Sequence, residues 1–156
     1  MAKISTSLIK QLREKTKAGV MDCRQALEEC RGDCQKAEKW LQKKGIESAT
    51  KRANRETTAG LIETYSHADG KIVAVVELNC ETDFVARNEE FKKLAHELAM
   101  QMAAMKPKNV SDLLKQPWIR DDQQTIGELV KTAVGKLGEN IVIGRIARFE
   151  LGETES

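Results

Sequence analysis

The stretch from residue 72 to residue 105 limits the fold more than any other, because a strand pattern is followed closely by a helix pattern. Residues 72–78 (IVAVVEL) are apolar and rich in β-branched side chains, which is typical of a strand. Alternate residues would share one face of a sheet: Ile72, Ala74, Val76, Leu78 and Cys80. From Asn88 the spacing predicts an amphipathic helix that Pro107 ends, with a buried stripe of Phe91, Leu94, Ala95, Leu98, Met102 and Met105.

The connection between this strand and this helix contains an aromatic residue. The chain has only 3 Phe, 2 Trp and 1 Tyr, and Phe84 stands beside Asp83 in the connection. One interpretation is that Phe84 folds back under the loop and joins the core, since large apolar side chains are usually buried. The other is that Phe84 is presented to a partner, because recognition residues concentrate on loops held by a rigid scaffold.

Two more strands are predicted from the flanking sequence. Residues 61–66 are strand-like, and Asp69-Gly70 is a two-residue turn signal, so residues 60–80 are expected to form a hairpin. Residues 140–150 are expected to form a last strand beside that hairpin. Residues 108–124 are predicted to be a loop, with Pro117-Trp118 as its apolar anchor.

A capping box predicts the start of a second helix in this part of the chain. Thr125 is followed three residues later by Glu128, a spacing that lets each side chain bond to the other's backbone. Gly138 is expected to end the helix. Its buried face is predicted to contain Ile126, Leu129, Val130, Ala133, Val134 and Leu137.

The first 45 residues predict three short helices. Ser5 or Thr6 is expected to cap the first helix, Asp22 the second, and Gly45 closes the third. Their apolar residues are few, so the bundle core is near the lower limit of independent stability. We therefore predict an α+β protein with a helical domain at residues 1–45, a basic connector at 46–56 whose composition allows helix, and a core domain at 57–156.

Composition and charge narrow the classes of function. The chain is 32% charged and 40% hydrophobic, with a mean hydropathy of −0.49, and it has no apolar run of membrane-spanning length. The N-terminal residues lack the pattern of a secretory or transit peptide, so a cytoplasmic location is expected. Residues 1–56 carry 14 Lys and Arg against 8 Asp and Glu. That excess can attract nucleic acid or an acidic protein surface, but charges at helical spacing favour a solvated face.

No residues assemble into a catalytic or metal site in the sequence. Cys30 and Cys34 are the only close cysteines, and both His67 and His96 are distant from them, so no metal site is predicted. Phosphate-binding glycine loops are absent too, and no cofactor is expected. The chain is predicted to act by binding and not as an enzyme.

Three blocks of sequence resemble the translation elongation factor Ts family, the guanine-nucleotide exchange factors of elongation factor Tu (EF-Tu). Residues 77–87 (ELNCETDFVAR) are similar to one family signature, residues 8–27 (LIKQLREKTKAGVMDCRQAL) to another and residues 136–141 (KLGENI) to a third. The resemblance covers nearly the whole chain outside residues 106–124. It implies a UBA-like three-helix N-terminal domain followed by a core with a three-stranded antiparallel sheet.

The resemblance also implies roles for particular residues. In the family, a Thr-Asp-Phe-Val loop inserts beside the G domain of EF-Tu and disturbs its Mg²⁺ and phosphate site, so that GDP leaves. The matching residues here are Thr82, Asp83, Phe84 and Val85. A second, N-terminal contact with EF-Tu would be made by Arg13, Val20 and Met21.

The chain departs from the family pattern at several points. Lys17 stands where Gly is common, Val20 where Met is common, and Gly144 where the last strand usually has a basic residue. Residues 106–124 are shorter than the family's helical insertion in this region. Short members are expected to pair as homodimers, and Phe149, which would be exposed on a lone sheet, fits that expectation.

Three other functions are compatible with parts of the chain. The UBA-like bundle could bind an unrelated helix or a ubiquitin-like fold, which leaves residues 82–85 without a role. RNA binding through the basic N-terminal residues would require interleaved aromatics, which are missing there. An enzyme would require an assembled site. Neither nucleic acid nor a membrane is therefore expected as a partner.

Overall fold

The N-terminal part of the protein is a bundle of three helices. The computed structural model describes residues 3–154. Helix α1 is Thr6–Thr16, α2 is Val20–Glu29 and α3 is Cys34–Arg52. Ser5 caps α1 as predicted, because its hydroxyl accepts the Leu8 N–H at 3.2 Å. The bundle encloses its own small hydrophobic cluster, built from Leu12, Cys23, Ala26, Leu27 and Ala37.

Two predicted helix ends in this bundle are wrong. Asp22 does not cap α2, because Gly19 is the N-cap. Asp22 lies in the first turn, where its negative charge interacts favourably with the positive end of the helix dipole. Gly45 does not close α3, which continues to Arg52. A glycine weakens a helix by only about 1 kcal/mol, and the packing of this stretch against a core helix outweighs that cost. Most of the predicted connector is therefore helix.

Three antiparallel strands form the sheet of the core, as predicted. Strand β1 is Ala59–His67, β2 is Ile72–Cys80 and β5 is Ile141–Glu150, in the order β1-β2-β5. The hairpin turn is longer than the predicted two residues, because His67 pairs with Ile72 and leaves residues 68–71 in the turn. Positive φ angles of 52°, 56° and 84° at Ala68, Asp69 and Gly70 close it.

Helices cover one face of this sheet. Helix α5 is Glu89–Met105 and begins after Asn88, and α7 is Ile126–Leu137 with the predicted capping box at Thr125 and the predicted end at Gly138. The inner residues of β2 are buried against these helices as predicted. Met105 is the exception in the predicted stripe of α5: its side chain is 45% exposed, because the helix ends there beyond the edge of the core.

Residues 108–124 are ordered, which corrects the loop prediction. They contain the short helix α6, Val110–Lys115, and a hairpin of β3, Pro117–Trp118, with β4, Asp121–Thr125. The buried Gln101 of α5 holds this hairpin: its amide donates to the Pro117 carbonyl at 3.0 Å and accepts the Ile119 N–H at 3.0 Å. These contacts join residues far apart in sequence, so no local pattern indicates them. Trp118 packs on the core, as predicted.

Candidate functional site

The connection between β2 and α5 is a single helical turn instead of an open loop. This helix, α4, is Asp83–Ala86, and Thr82 is its N-cap. The Thr82 hydroxyl accepts the Val85 N–H at 3.4 Å, and the Thr82 carbonyl accepts the Ala86 N–H at 3.2 Å. A Thr at this position supplies an acceptor for a backbone donor that the helix start leaves unpaired.

Phe84 lies on the outside of this turn, so the interpretation that it joins the core is wrong. Its side chain is 86% exposed, the highest value among the large hydrophobic residues of the part of the chain that the structure describes. Asp83 is exposed beside it, whereas Val85 packs on the core and Ala86 is buried. An exposed Phe forgoes about 1.5–3 kcal/mol of burial, which indicates that its position serves something other than folding.

The turn is attached to the sheet by contacts on its inner side. The Cys80 thiol donates to the Thr82 carbonyl oxygen at 3.2 Å. Burial is the largest cause that raises the pKa of this thiol, and the carboxylate of Glu139 raises it further, so the proton needed for donation stays in place. The Glu139 carboxylate itself accepts the Thr82 N–H at 3.0 Å and the Thr82 hydroxyl at 2.7 Å. Thr82 therefore faces the protein, and Asp83 and Phe84 face solvent.

The predicted N-terminal contact residues lie on the surface of the bundle. Arg13 is exposed in the last turn of α1. Val20 and Met21 are 48% and 69% exposed in the first turn of α2, although both are apolar. Lys17 ends α1 with a φ of 58° and so adopts the left-handed conformation that Gly adopts without strain. The structure thus places two separate apolar projections on the surface, one on α2 and one on α4.

The described residues offer no alternative centre of metal chemistry. Between residues 3 and 154, no group of three or more His, Cys, Asp or Glu side chains is arranged to hold a metal ion. The adjacent carboxylates Glu89 and Glu90 lie in the first turn of α5, where they pair with Lys92 and Lys93 at 3.6 and 3.7 Å. Exposed ion pairs of this kind contribute little to the stability of the protein. The two carboxylates are explained by their favourable position at the N-terminal end of a helix.

Sequence reasoning missed the residues that hold the turn. Glu139 and Asn140 stand in the third sequence block, but nothing in that block assigned them a role. Their partners lie 57 to 87 residues away in the chain: Thr82 for Glu139, and Glu81, Ala53 and Arg55 for Asn140. A charged residue between a helix-ending Gly and a strand start is the one signal that could have marked Glu139.

Comparisons with known proteins agree on one family. Residues 81–156 match the family model described as elongation factor TS. A relative named elongation factor Ts from Oleidesulfovibrio alaskensis is 43% identical over 197 aligned positions, covering 97% of this chain and 100% of the relative. The proteins of the same name from Rippkaea orientalis and Nitratidesulfovibrio vulgaris are 42% and 40% identical, covering 98% of this chain and 80% and 99% of the relatives. Since the alignments are longer than the 156-residue chain, these relatives carry residues that it lacks.

Proposed function

The chain belongs to the elongation factor Ts family, whose members are nucleotide exchange factors for EF-Tu, and we propose that it drives GDP release by inserting Phe84 beside the G domain. In this proposal the turn of residues 82–85 is inserted beside the partner's Mg²⁺ and phosphate site and disturbs it during elongation, with Asp83 and Phe84 on its outer side and Thr82 on its inner side. The observation that carries the proposal is an aromatic side chain, 86% exposed, on a turn whose inner side is bonded to the core. The backbone that carries this side chain is already held by hydrogen bonds, so little backbone freedom is lost when it binds.

The mechanism requires no catalytic residue. If the factor binds nucleotide-free EF-Tu more tightly than GDP-bound EF-Tu, linkage requires that it weaken GDP binding by the same factor. Burying one aromatic anchor at an interface contributes about 2–4 kcal/mol, or about one and a half to three decades of affinity. A contact of this size, made only in the nucleotide-free state, makes Phe84 a leading contributor to the coupling.

The UBA-like bundle would supply a second contact through Arg13, Val20 and Met21. Two adjacent exposed apolar side chains in the first turn of α2, Val20 and Met21, support this role, because a partner that covers them removes their apolar surface from water. Since the bundle is joined to the core by α3, binding at Phe84 raises the effective concentration of this contact. We assign residues 1–45 and 57–156 to two domains on the strength of their separate hydrophobic clusters.

The outer face of the sheet supports a homodimer as a further part of the proposal. Strand β2 is central, and the residues that face away from the helices include Ile62, Val142 and Phe149, which are 61%, 41% and 61% exposed. Single chains seldom expose an apolar sheet face, and pairing with a second copy would cover it. Light scattering at tens of micromolar protein should give twice the chain mass, and Phe149→Glu should give the single mass. A single mass for the unaltered chain contradicts the dimer.

A stopped-flow experiment with a fluorescent GDP analogue tests the exchange proposal. Phe84→Ala should slow stimulated GDP release from EF-Tu at least about tenfold, which corresponds to about 1.4 kcal/mol of coupling. Ile119→Ala is the control, because it removes another exposed apolar side chain (44% exposed) from a surface with no assigned role. Equal loss in both variants, or no loss in Phe84→Ala, contradicts the proposal.

A binding experiment separates this function from the alternatives. The factor should form an equimolar complex with EF-Tu that dissociates when GDP and Mg²⁺ are added, and we place it in the cytoplasm with neither nucleic acid nor a membrane as a partner. In the part of the chain that the structure describes, no helix is both long and apolar enough to cross a membrane.

A further inference from the structure

Two consecutive residues after α7 bond to two distant parts of the chain. Glu139 accepts both hydrogen bonds that Thr82 can donate, from its backbone N–H at 3.0 Å and from its hydroxyl at 2.7 Å. Asn140 is buried, and its side-chain amide donates to the carbonyls of Ala53 and Arg55, just after α3, at 3.3 and 2.8 Å. These two residues belong to the sequence block 136–141, for which the exchange mechanism above has no use.

We propose that Glu139 is a positioning residue, which orients Thr82 and thereby holds Phe84 in place for the partner without touching the partner itself. The inference rests on the proposed exchange function and assigns Thr82 to the same internal role. A hydroxyl has one proton, and the Thr82 hydroxyl donates it to Glu139. The orientation of the hydroxyl is thereby fixed, and a lone pair on its oxygen accepts the Val85 N–H. Hydrogen bonds to a carboxylate are about twice as strong as neutral ones, so this contact is a strong link between the N-cap of α4 and the rest of the protein.

The turn needs such a link because it has little stability of its own. Helix α4 has only four residues, and a helix this short does not form in isolation. Phe84 cannot anchor the turn, since its ring contributes almost no buried area. The inner side depends instead on Val85 and Ala86 and on the polar contacts of Thr82. When those contacts are lost, the turn is expected to sample other conformations, and only a fraction of molecules then presents Phe84 correctly.

Glu139 is itself held by its neighbours. The Asn140 N–H donates to the Glu81 carboxylate at 2.8 Å, and the Arg55 guanidinium lies 3.6 Å from the same oxygen. Together with the two carbonyls that Asn140 binds, these bonds fix the backbone on which the Glu139 side chain stands. The Glu139 carboxylate is therefore already in place before a partner binds.

The positioning role predicts a particular kinetic pattern. A lower fraction of competent molecules weakens apparent affinity in proportion but leaves the bound complex unchanged. Glu139→Ala and Thr82→Val should therefore each raise the half-saturating factor concentration about tenfold, or about 1.4 kcal/mol, with the maximal rate of GDP release unchanged. Both variants break the bond between the Thr82 hydroxyl and the Glu139 carboxylate, although Glu139→Ala also frees the Thr82 N–H and Thr82→Val also removes the acceptor for the Val85 N–H. The double variant should therefore lose less than the sum of the two single losses. Thr82→Ser, which keeps the hydroxyl, should stay closer to the unaltered chain than Thr82→Val.

One further measurement, hydrogen exchange, accompanies the kinetics on the full chain. Hydrogen exchange should accelerate at the amides of residues 82–87 in Glu139→Ala and stay the same in the sheet. The matched control is Glu47→Ala, which removes an exposed carboxylate of α3 and should change neither measurement. If Glu139→Ala does not fold, the comparison of Thr82→Val with Thr82→Ser decides the question, because only the first removes the hydroxyl that donates to Glu139.

The outcomes separate this inference from the proposed function. A half-saturating concentration within about twofold of the unaltered chain in both single variants overturns the positioning role. Additive losses in the double variant overturn it too, since Thr82 would then act independently. Phe84→Ala is measured in the same assay. If it has no effect on GDP release, the exchange proposal fails, whatever the result for Glu139→Ala.

Discussion

The crossing of α3 and α7 allows a sharp test of how the bundle sits on the core. Gly45 of α3 and Gly135 of α7 face each other there, but the two positions are not equivalent. A Cβ added to Gly135 would lie 2.4 Å from the Gly45 Cα and 3.1 Å from its carbonyl carbon and oxygen. A Cβ added to Gly45 would meet nothing closer than the Gly135 Cα at 3.7 Å, an ordinary contact.

The expected magnitudes follow from these distances. Alanine stabilises a helix relative to glycine by about 1 kcal/mol, and this gain is common to Gly45→Ala and Gly135→Ala. Only Gly135→Ala meets backbone atoms that cannot rotate away, so the helices must separate by about 1 Å, and overpacking of this kind costs about 1–3 kcal/mol. Because the helix gain cancels, the free energy of unfolding of the two variants should differ by about 1–3 kcal/mol, with Gly45→Ala the more stable.

Urea denaturation followed by circular dichroism measures this difference directly. The unaltered chain gives the reference, and Gly45→Ala is the matched control because it makes the same chemical change at the same crossing. Equal stability of the two variants, within about 0.5 kcal/mol, would refute the described approach of the helices. The bundle would then sit on the core through other contacts.

Three further predictions concern folding, partner binding and pH. Phe84→Ala should melt within a few degrees of the unaltered chain, whereas Phe91→Ala, which removes a ring that is 0% exposed, should lose about 3–5 kcal/mol of stability in the same denaturation assay. Met21→Ala should raise the half-saturating factor concentration for GDP release at an unchanged maximal rate; a fall in the maximal rate alone would contradict its role as a second contact. The hydrogen bond with Lys106 is the largest of the causes that lower the pKa of Glu150 from 4.5 to about 2. The stability that this carboxylate contributes is therefore present above pH 4.5 and is lost as the pH falls towards about 2. Thermal melts across that window should show a shallower pH dependence for Glu150→Gln, and an identical profile would refute the assignment.

Local patterns in the sequence predicted most of the elements. The alternation along residues 72–80, the capping box at Thr125 and the end at Gly138 each depend on residues a few positions apart, and each is confirmed. The N-cap of α1 at Ser5 also depends on neighbouring residues only and is confirmed. Where a signal is local but weak, packing decides, and Gly45 is the example: α3 passes through it because its packing against α7, which approaches closely at Gly135, outweighs the cost of one glycine in a helix. The assignment of residues 82–85, Arg13, Val20 and Met21 to partner contacts stays a prediction.

The sequence by itself thus determined the order of the main helices and of the three sheet strands, the faces that they bury and the family, because periodicity and short motifs are carried by neighbouring residues. Only the tertiary structure decided that Phe84 points outward and that Glu139 bonds to Thr82 on the inner side of the turn. It also decided that residues 108–124 form a helix and a hairpin around the Gln101 amide. These features depend on hydrogen bonds between residues 16 to 57 positions apart, and such partners meet only after the sheet and helices have packed.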